Sequence, residues 1–230
     1  MNLARSIESE WLDTLAADDP RAMRSRRDLR RVNAIMLQAR AMVRLLNIHG
    51  AGMRPRRITE LGGGDGTFML GVARRLRWTD IEIILVDQQD IVATQTHAGF
   101  AALGWRLRVR QGDVRDFLED PEAARGDIVA ANLFLHHFTD VDLARLLRGA
   151  ATLAPLFVAC EPRRSAFSLL ASRMLFALGC NDVSRHDAVA SVRAGFDGTE
   201  LSRLWGSREG WRLHEQPAWP FTHCFVASSV

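Results

Sequence analysis

The chain has 230 residues, 47% of them hydrophobic and 25% charged, the proportions of an ordinary globular protein and not of a fibrous or disordered one. The net charge is +3 and all 30 basic residues are arginine; lysine and tyrosine are absent. That excludes a Schiff-base lysine, a phosphate-loop lysine and a tyrosine nucleophile or base.

The length suits one domain with an elaboration. The arginine clusters Arg24, Arg26, Arg27 and Arg54, Arg56, Arg57 are interrupted by Asp28 and apolar residues, so they read as solvated faces rather than a nucleic-acid surface. Cys160, Cys180 and Cys224 lie far apart and form no CxxC pair, which argues against a disulfide framework or zinc site and points to a reducing cytoplasm. The first residues, Met1 to Glu8, carry charge where a signal peptide would be apolar. No apolar run approaches the ~20 residues of a membrane span.

In chain order, residues 1–50 read as a helical cap, with Leu29, Val32, Met36, Leu37, Met42, Val43 and Leu46 recurring at helical spacing. Gly50, Gly52 and Pro55 end it. From Arg57 strand and helix patterns alternate. Arg57 to Leu61 is a strand, followed by a helix near 66–77; Ile81 to Val86 is an apolar run suited to a buried parallel strand. A helix near 90–103 precedes the alternating strand Arg106 to Arg110. Asp127 to Ala131, a helix near 140–150 and Pro155 to Cys160 complete a βαβα rhythm over 56–160. Residues 161–210 read as a helical insertion, its stripe Phe167, Leu170, Met174, Leu175 and Leu178 suiting either a core face or an apolar substrate wall, with a core face the default. The strand-like ends Gly210 to Glu215 and Thr222 to Ala227 form an antiparallel pair, with Pro217 and Pro220 between them. The fold expected over 1–230 is a single-domain, Rossmann-like α/β fold: a seven-stranded, mostly parallel sheet with an antiparallel pair at 211–230.

The densest signal is Glu60-Leu61-Gly62-Gly63-Gly64-Asp65-Gly66-Thr67, at the turn from first strand to helix. Glycines let a ligand lie against the backbone. A dinucleotide fingerprint starting at Gly62 needs a third glycine where Thr67 stands, and Glu60 suits a cationic amino-acid group better than a pyrophosphate. Asp87, followed by Gln88, ends the second strand, where a carboxylate accepts from ribose hydroxyls. Asp113 and Val114 follow the third strand, and Asn132 closes the fourth. Asp87 and Asp113 also admit a second reading, as helix N-caps.

In this order the residues resemble the class I S-adenosylmethionine-dependent methyltransferases of the small-molecule type, over roughly 56–160 and the terminal strand pair. The resemblance implies that Gly62, Gly64 and Gly66, with Gly63 and Glu60, lie along the methionine moiety. It places Asp87 and Gln88 at the ribose, Asp113 and Val114 by the adenine, and Asn132 at the cleft mouth. Glu60 stands where many members have Asp.

His136-His137-Phe138 follows the fourth strand and aligns with the His-Asp-Trp segment of plant-type O-methyltransferases, which makes His136 the candidate base, with His137 beside it. A neutral imidazole there can take the proton of a phenol as the methyl transfers; packing roles for both rings remain open. No metal is expected, on the argument that adjacent histidines splay apart and lack a carboxylate cluster. Arg163, Arg164, Arg185, His186 and Arg193 are candidate contacts to the acceptor. The implied function is methylation of a small hydrophobic or aromatic acceptor, most readily at oxygen, with S-adenosylhomocysteine as product. The implied partner is that small molecule and not nucleic acid, and a homodimer is left open. An NAD(P)-dependent oxidoreductase and a non-catalytic binding subunit are the rival readings.

Overall fold

Parallel strands with apolar residues on both faces, each followed by a helix, have to bury two layers, and the chain does so on both sides of one sheet. The computed structural model describes residues 3–120 and 125–230, so Met1 and Asn2 of the expected cap lie outside the described residues. The sheet has seven strands: β1 (Arg57–Leu61), β2 (Glu82–Asp87), β3 (Arg106–Gln111), β4 (Ile128–Asn132), β5 (Leu156–Pro162), β6 (Trp211–Ala218) and β7 (Thr222–Ser229). Their order is β3-β2-β1-β4-β5-β7-β6. β1 pairs in parallel with β2 and β4, and β7 runs antiparallel between β5 and β6. The order reverses between β1 and β4, and at such a switch point an open α/β sheet binds its ligand beyond the carboxyl ends of the strands.

One core lies under α6 (Val114–Glu119), α7 (Asp140–Leu153) and α10 (Glu200–Trp205), where Leu143, Leu147 and Trp205 meet Val129, Phe157 and Phe225. The other lies under α3 (Gln38–His49), α4 (Thr67–Ala73) and α5 (Thr94–Ala102), where Met42, Leu46 and Phe100 meet Ile83, Leu85 and Val158. Each fully buried Leu or Phe contributes roughly 1.5–3 kcal/mol. α7 starts at Thr139, whose hydroxyl accepts from the Asp142 N–H, as an N-cap should.

The N-terminal residues form α1 (Trp11–Thr14), α2 (Pro20–Ile35) and α3, with an extended strap from residue 3 to residue 10 ahead of them. Leu37 at φ +57° breaks the run that the sequence read as continuous. Between β5 and β6 come α8 (Ala166–Arg173), a 3₁₀ turn at Met174–Leu178, α9 (Asp182–Ala194) and α10. Two local expectations change. Pro217 lies inside β6, opposite His223, and not between the strands. β6 is an edge strand, where a missing N–H costs no ladder bond. The stripe on α8 and the 3₁₀ turn is no core face: Phe167, Leu170, Met174 and Leu178 are exposed, while α8 turns its small residues Ser168, Ala171 and Ser172 inward, and of the stripe only Leu175 and Leu178 reach the cavity at the carboxyl ends of the strands.

Candidate active site

A cavity of about 640 Å³ opens at the carboxyl ends of β1, β2 and β4, within the range that small-molecule sites occupy. A second depression at the opposite end of the strands is lined by Arg56, Asp80, Glu82 and Arg106 and holds none of the candidate residues.

The glycine loop forms one wall. Gly62 and Gly63 donate their N–H groups to Val86 O (2.9 and 3.2 Å), and Gly64 donates to Asp87 Oδ2 (2.8 Å), which ties the loop to β2. A Cβ on Gly62, at φ +71°, would fall 2.2 Å from the Phe134 ring. Gly64, at φ +52°, has nothing within 4 Å of that position and faces open space. Glu60 is buried beneath the loop, and its Oε2 has no partner among the described residues. Burial, then the charges of Asp87 and Asp65, push its carboxyl well above the usual range. Asn132 Oδ1 is likewise buried and unpartnered among the described residues. Two orphaned acceptors beside an open glycine turn are what an incoming cationic amino-acid moiety would satisfy, so these residues fit S-adenosylmethionine. Asp87 Oδ1 accepts from Gln89 N–H (3.0 Å), leaving further lone pairs for ribose hydroxyls.

Glu60, Gly62, Gly63, Gly64, Asp87, Gln88, Asp113, Val114, Asn132, His136 and His137 all line this cavity. Gly66 does not; a Cβ there would meet Leu85 Cδ1 at 2.8 Å, so it serves helix–strand packing. Asp113 is also the N-cap of α6, accepting from Arg115 N–H (2.8 Å), and the hydrogen bond from the Arg115 guanidinium holds its carboxyl below the usual range.

The Asn132–His137 loop begins at Leu133, whose φ of +50° is uncommon for a leucine. It is held from below by Glu161, fully buried at the end of β5, whose Oε1 accepts from Phe134 N–H (3.0 Å) and Leu135 N–H (2.9 Å). Glu161 Oε2 lies 2.7 Å from His136 Nδ1, and Glu10 Oε1 lies 3.3 Å from His136 Nε2. Burial alone would lower the His136 pKa, but hydrogen bonds to Glu10 and Glu161 and their charges outweigh it and bring it to about 9. At neutral pH His136 is therefore an imidazolium with both nitrogens occupied, and in this arrangement it is no proton acceptor. His137 is the converse. Burial, then the neighbouring imidazolium, lower its pKa, so it is neutral at pH 7, and its ring lines the cavity.

The two rings do not splay: their centroids are 4.3 Å apart. Carboxylates do stand beside them, and the ligand atoms of Glu10, His136 and His137 lie within 4.8 Å of one another. Both premises used against a metal at this pair are thus corrected by the fold.

The basic residues proposed for the acceptor lie elsewhere. Arg164 is buried and pairs with Glu200 (2.5 and 2.9 Å) while its Nε donates to Leu3 O (2.7 Å). His186 stacks on Trp11 (4.0 Å) and bonds Asp187, whose carboxylate accepts the N–H groups of Trp11 and Leu12. Arg193 pairs with Glu8 (3.1 Å) at the surface, and Arg163 lies 3.9 Å from Asp197. Arg185 is exposed on α9. Arg164 and Arg193 hold the N-terminal strap and His186 packs against α1; none of the three lines the cavity. Arg5 adds to this clamp through Asp140 (2.6 Å), Phe138 O (3.0 Å) and Ala194 O (2.8 Å).

Sequence reasoning missed Glu161 and Glu10. Glu161 had a signal, since an acid ends an otherwise apolar strand just as Asp87 does. Glu10 had none; it meets a residue 126 positions away.

Residues 58–154 match the family described as "Methyltransferase domain". That segment is similar to methyltransferase domains. Several solved structures share the fold across nearly all of this chain. The plantazolicin methyltransferase BpumL, solved in complex with SAH, is 12% identical, with a TM-score of 0.67 over 93% of this chain and 92% of its own. The mitomycin 7-O-methyltransferase MmcR is 19% identical, with a TM-score of 0.62 over 95% of this chain and 60% of its own. An O-methyltransferase family protein from Burkholderia thailandensis is 20% identical, with a TM-score of 0.53 over 93% of this chain and 61% of its own. The chain thus spans about 60% of the length of these two O-methyltransferases. No curated protein matches it by sequence.

Proposed function

We propose that the protein transfers a methyl group from S-adenosylmethionine to a hydroxyl of a small, hydrophobic or aromatic acceptor, with His137 as the proton acceptor. One observation carries the reading: a single cavity runs from the glycine loop and Asp87 to an apolar wall of Leu29, Val32, Phe138, Leu175 and Val192, with a neutral imidazole between. When bound, the cofactor supplies an electrophilic methyl on a sulfonium. Glu60, Gly64 and Asn132 would hold its amino-acid end, Asp87 the ribose and Asp113 the adenine side. His137 would take the hydroxyl proton as the acceptor oxygen is methylated, with S-adenosylhomocysteine the other product. His136, Glu161 and Glu10 position the loop that carries His137. The apolar wall excludes water and orients the acceptor, from which most of the rate enhancement arises.

No helix among the described residues is long and apolar enough to cross a membrane. All three cysteines are free, which supports a reducing cytoplasm. The reading is tested by comparing His137→Gln with wild type on a panel of phenols. We expect a loss of about 100-fold or more in kcat with unchanged S-adenosylhomocysteine affinity. Because burial and the neighbouring imidazolium lower the His137 pKa, wild-type kcat should rise with pH on the acid side of an ordinary histidine's range and then level off. Full activity in the variant would refute the base, and a wild-type chain stabilised by NADH but not by S-adenosylhomocysteine would refute methyl transfer.

A further inference from the structure

The outward face of α8 and of the turn after it is apolar where a solvated helix face should be polar. Phe167, Leu170, Met174, Phe176 and Leu178 are each 51–60% exposed. The Phe167 ring stacks on Phe221 (5.3 Å), which joins this face to the β6–β7 turn, and there Trp219 is 84% exposed. Contiguous apolar exposure of this kind marks an interaction surface.

Its rim is cationic. Arg24 donates to Gly179 O (3.2 Å) at the end of the 3₁₀ turn, and exposed Arg173 ends α8. Arg31 lies 3.8 Å from Asp28, a buried acid already engaged by Asn181 N–H and Ser184 Oγ. The exposed acid nearest in sequence, Asp182, is paired with Arg21. Apolar side chains flanked by the guanidinium groups of Arg24 and Arg173, with a tryptophan at the margin, match an anionic bilayer surface. Aromatic and aliphatic groups enter the acyl boundary, and arginines meet the headgroups.

We propose that this face docks the protein on an anionic lipid surface. The inner face of the same helix, Ser168, Ala171 and Ser172, lines the acceptor cavity with Leu175 of the turn after it, so a single layer of chain separates bilayer from cavity. A hydrophobic acceptor would then be drawn from the lipid phase; this consequence, unlike the docking itself, rests on the proposed function.

The test is flotation of the full chain with vesicles of phosphatidylcholine alone or mixed equally with phosphatidylglycerol. Wild type should float with the mixed vesicles and weaken in high salt. The triple variant Phe167→Ser, Leu170→Ser, Met174→Ser should bind about tenfold or more weaker, and Arg24→Gln with Arg173→Gln should lose the preference for anionic lipid. Trp219→Ser, on a turn, is a second probe and should also weaken flotation. Calorimetry with S-adenosylhomocysteine should give the same affinity in every variant, which shows intact folding and keeps the two proposals separable. Failure of wild type to float while it binds S-adenosylhomocysteine would overturn the docking alone. So would a concentration-dependent dimer, seen by sedimentation and dispersed by the triple variant, since a second copy would then cover the face.

Discussion

Replacing Glu10 with Gln removes one of the two charges that hold His136 protonated while keeping the shape of the strap. An ordinary histidine titrates near 6.5, and in the folded protein His136 is raised to about 9. A raised pKa means that the stabilisation is fully present below 6.5, declines as pH climbs, and is gone once pH passes about 9. The gap corresponds to about 3 kcal/mol, shared between Glu10 and Glu161. Removing Glu10 should therefore cost about 1.5 kcal/mol at pH 6–7, and the alkaline loss should move roughly one pH unit lower. The assay is urea denaturation of wild type and Glu10→Gln at intervals from pH 6 to 10. The window is unusually clean, because the sequence holds no lysine or tyrosine. The Cys224 thiol, lowered through its hydrogen bond with Cys160, is common to both proteins and cancels in the difference. If the difference in stability is zero, or does not change with pH, the buried imidazolium does not exist and the roles assigned to His136 and His137 fail together.

Other outcomes follow from the same geometry. Asp87→Ala should weaken S-adenosylhomocysteine by about 100-fold in calorimetry, since the carboxylate both accepts from ribose hydroxyls and anchors Gly64 N–H. Gly62→Ala should lower the melting temperature and abolish cofactor binding, because its Cβ would overlap the Phe134 ring; binding at wild-type strength would refute the loop geometry. Arg164→Met should destabilise by about 3 kcal/mol in denaturant titration, as it strips Glu200 of its buried partner, and by freeing Leu3 O it should raise protease sensitivity of the first residues.

What the sequence made legible is what short-range physics decides. Apolar runs such as Ile83 to Val86 admit little but a buried strand, and glycines between strand and helix mark the turn, so the sheet and the wall of Gly62, Gly64 and Asp87 are readable from spacing. The strap was not readable. Glu10, Arg5 and Trp11 are polar or amphipathic residues whose partners lie 126–189 positions away, and no periodicity encodes such pairs. The same blindness affected the arginines: Arg164 and Arg193 looked like ligand contacts because a cation in a helical insertion carries no mark of what it pairs with. The α8 stripe failed for another reason. Helical spacing shows that a face is apolar but not which side of the helix the rest of the fold will cover.

Both borders of the sheet discourage growth. On one side β3 presents Arg106 and Arg110 to solvent with Arg108 between them, and a copy approaching it would bring like charges together. On the other, Pro217 withholds a backbone donor from β6, so a strand arriving there finds the ladder interrupted. Strand addition is disfavoured at each margin, which leaves the helical faces as the more open surface for pairing two copies.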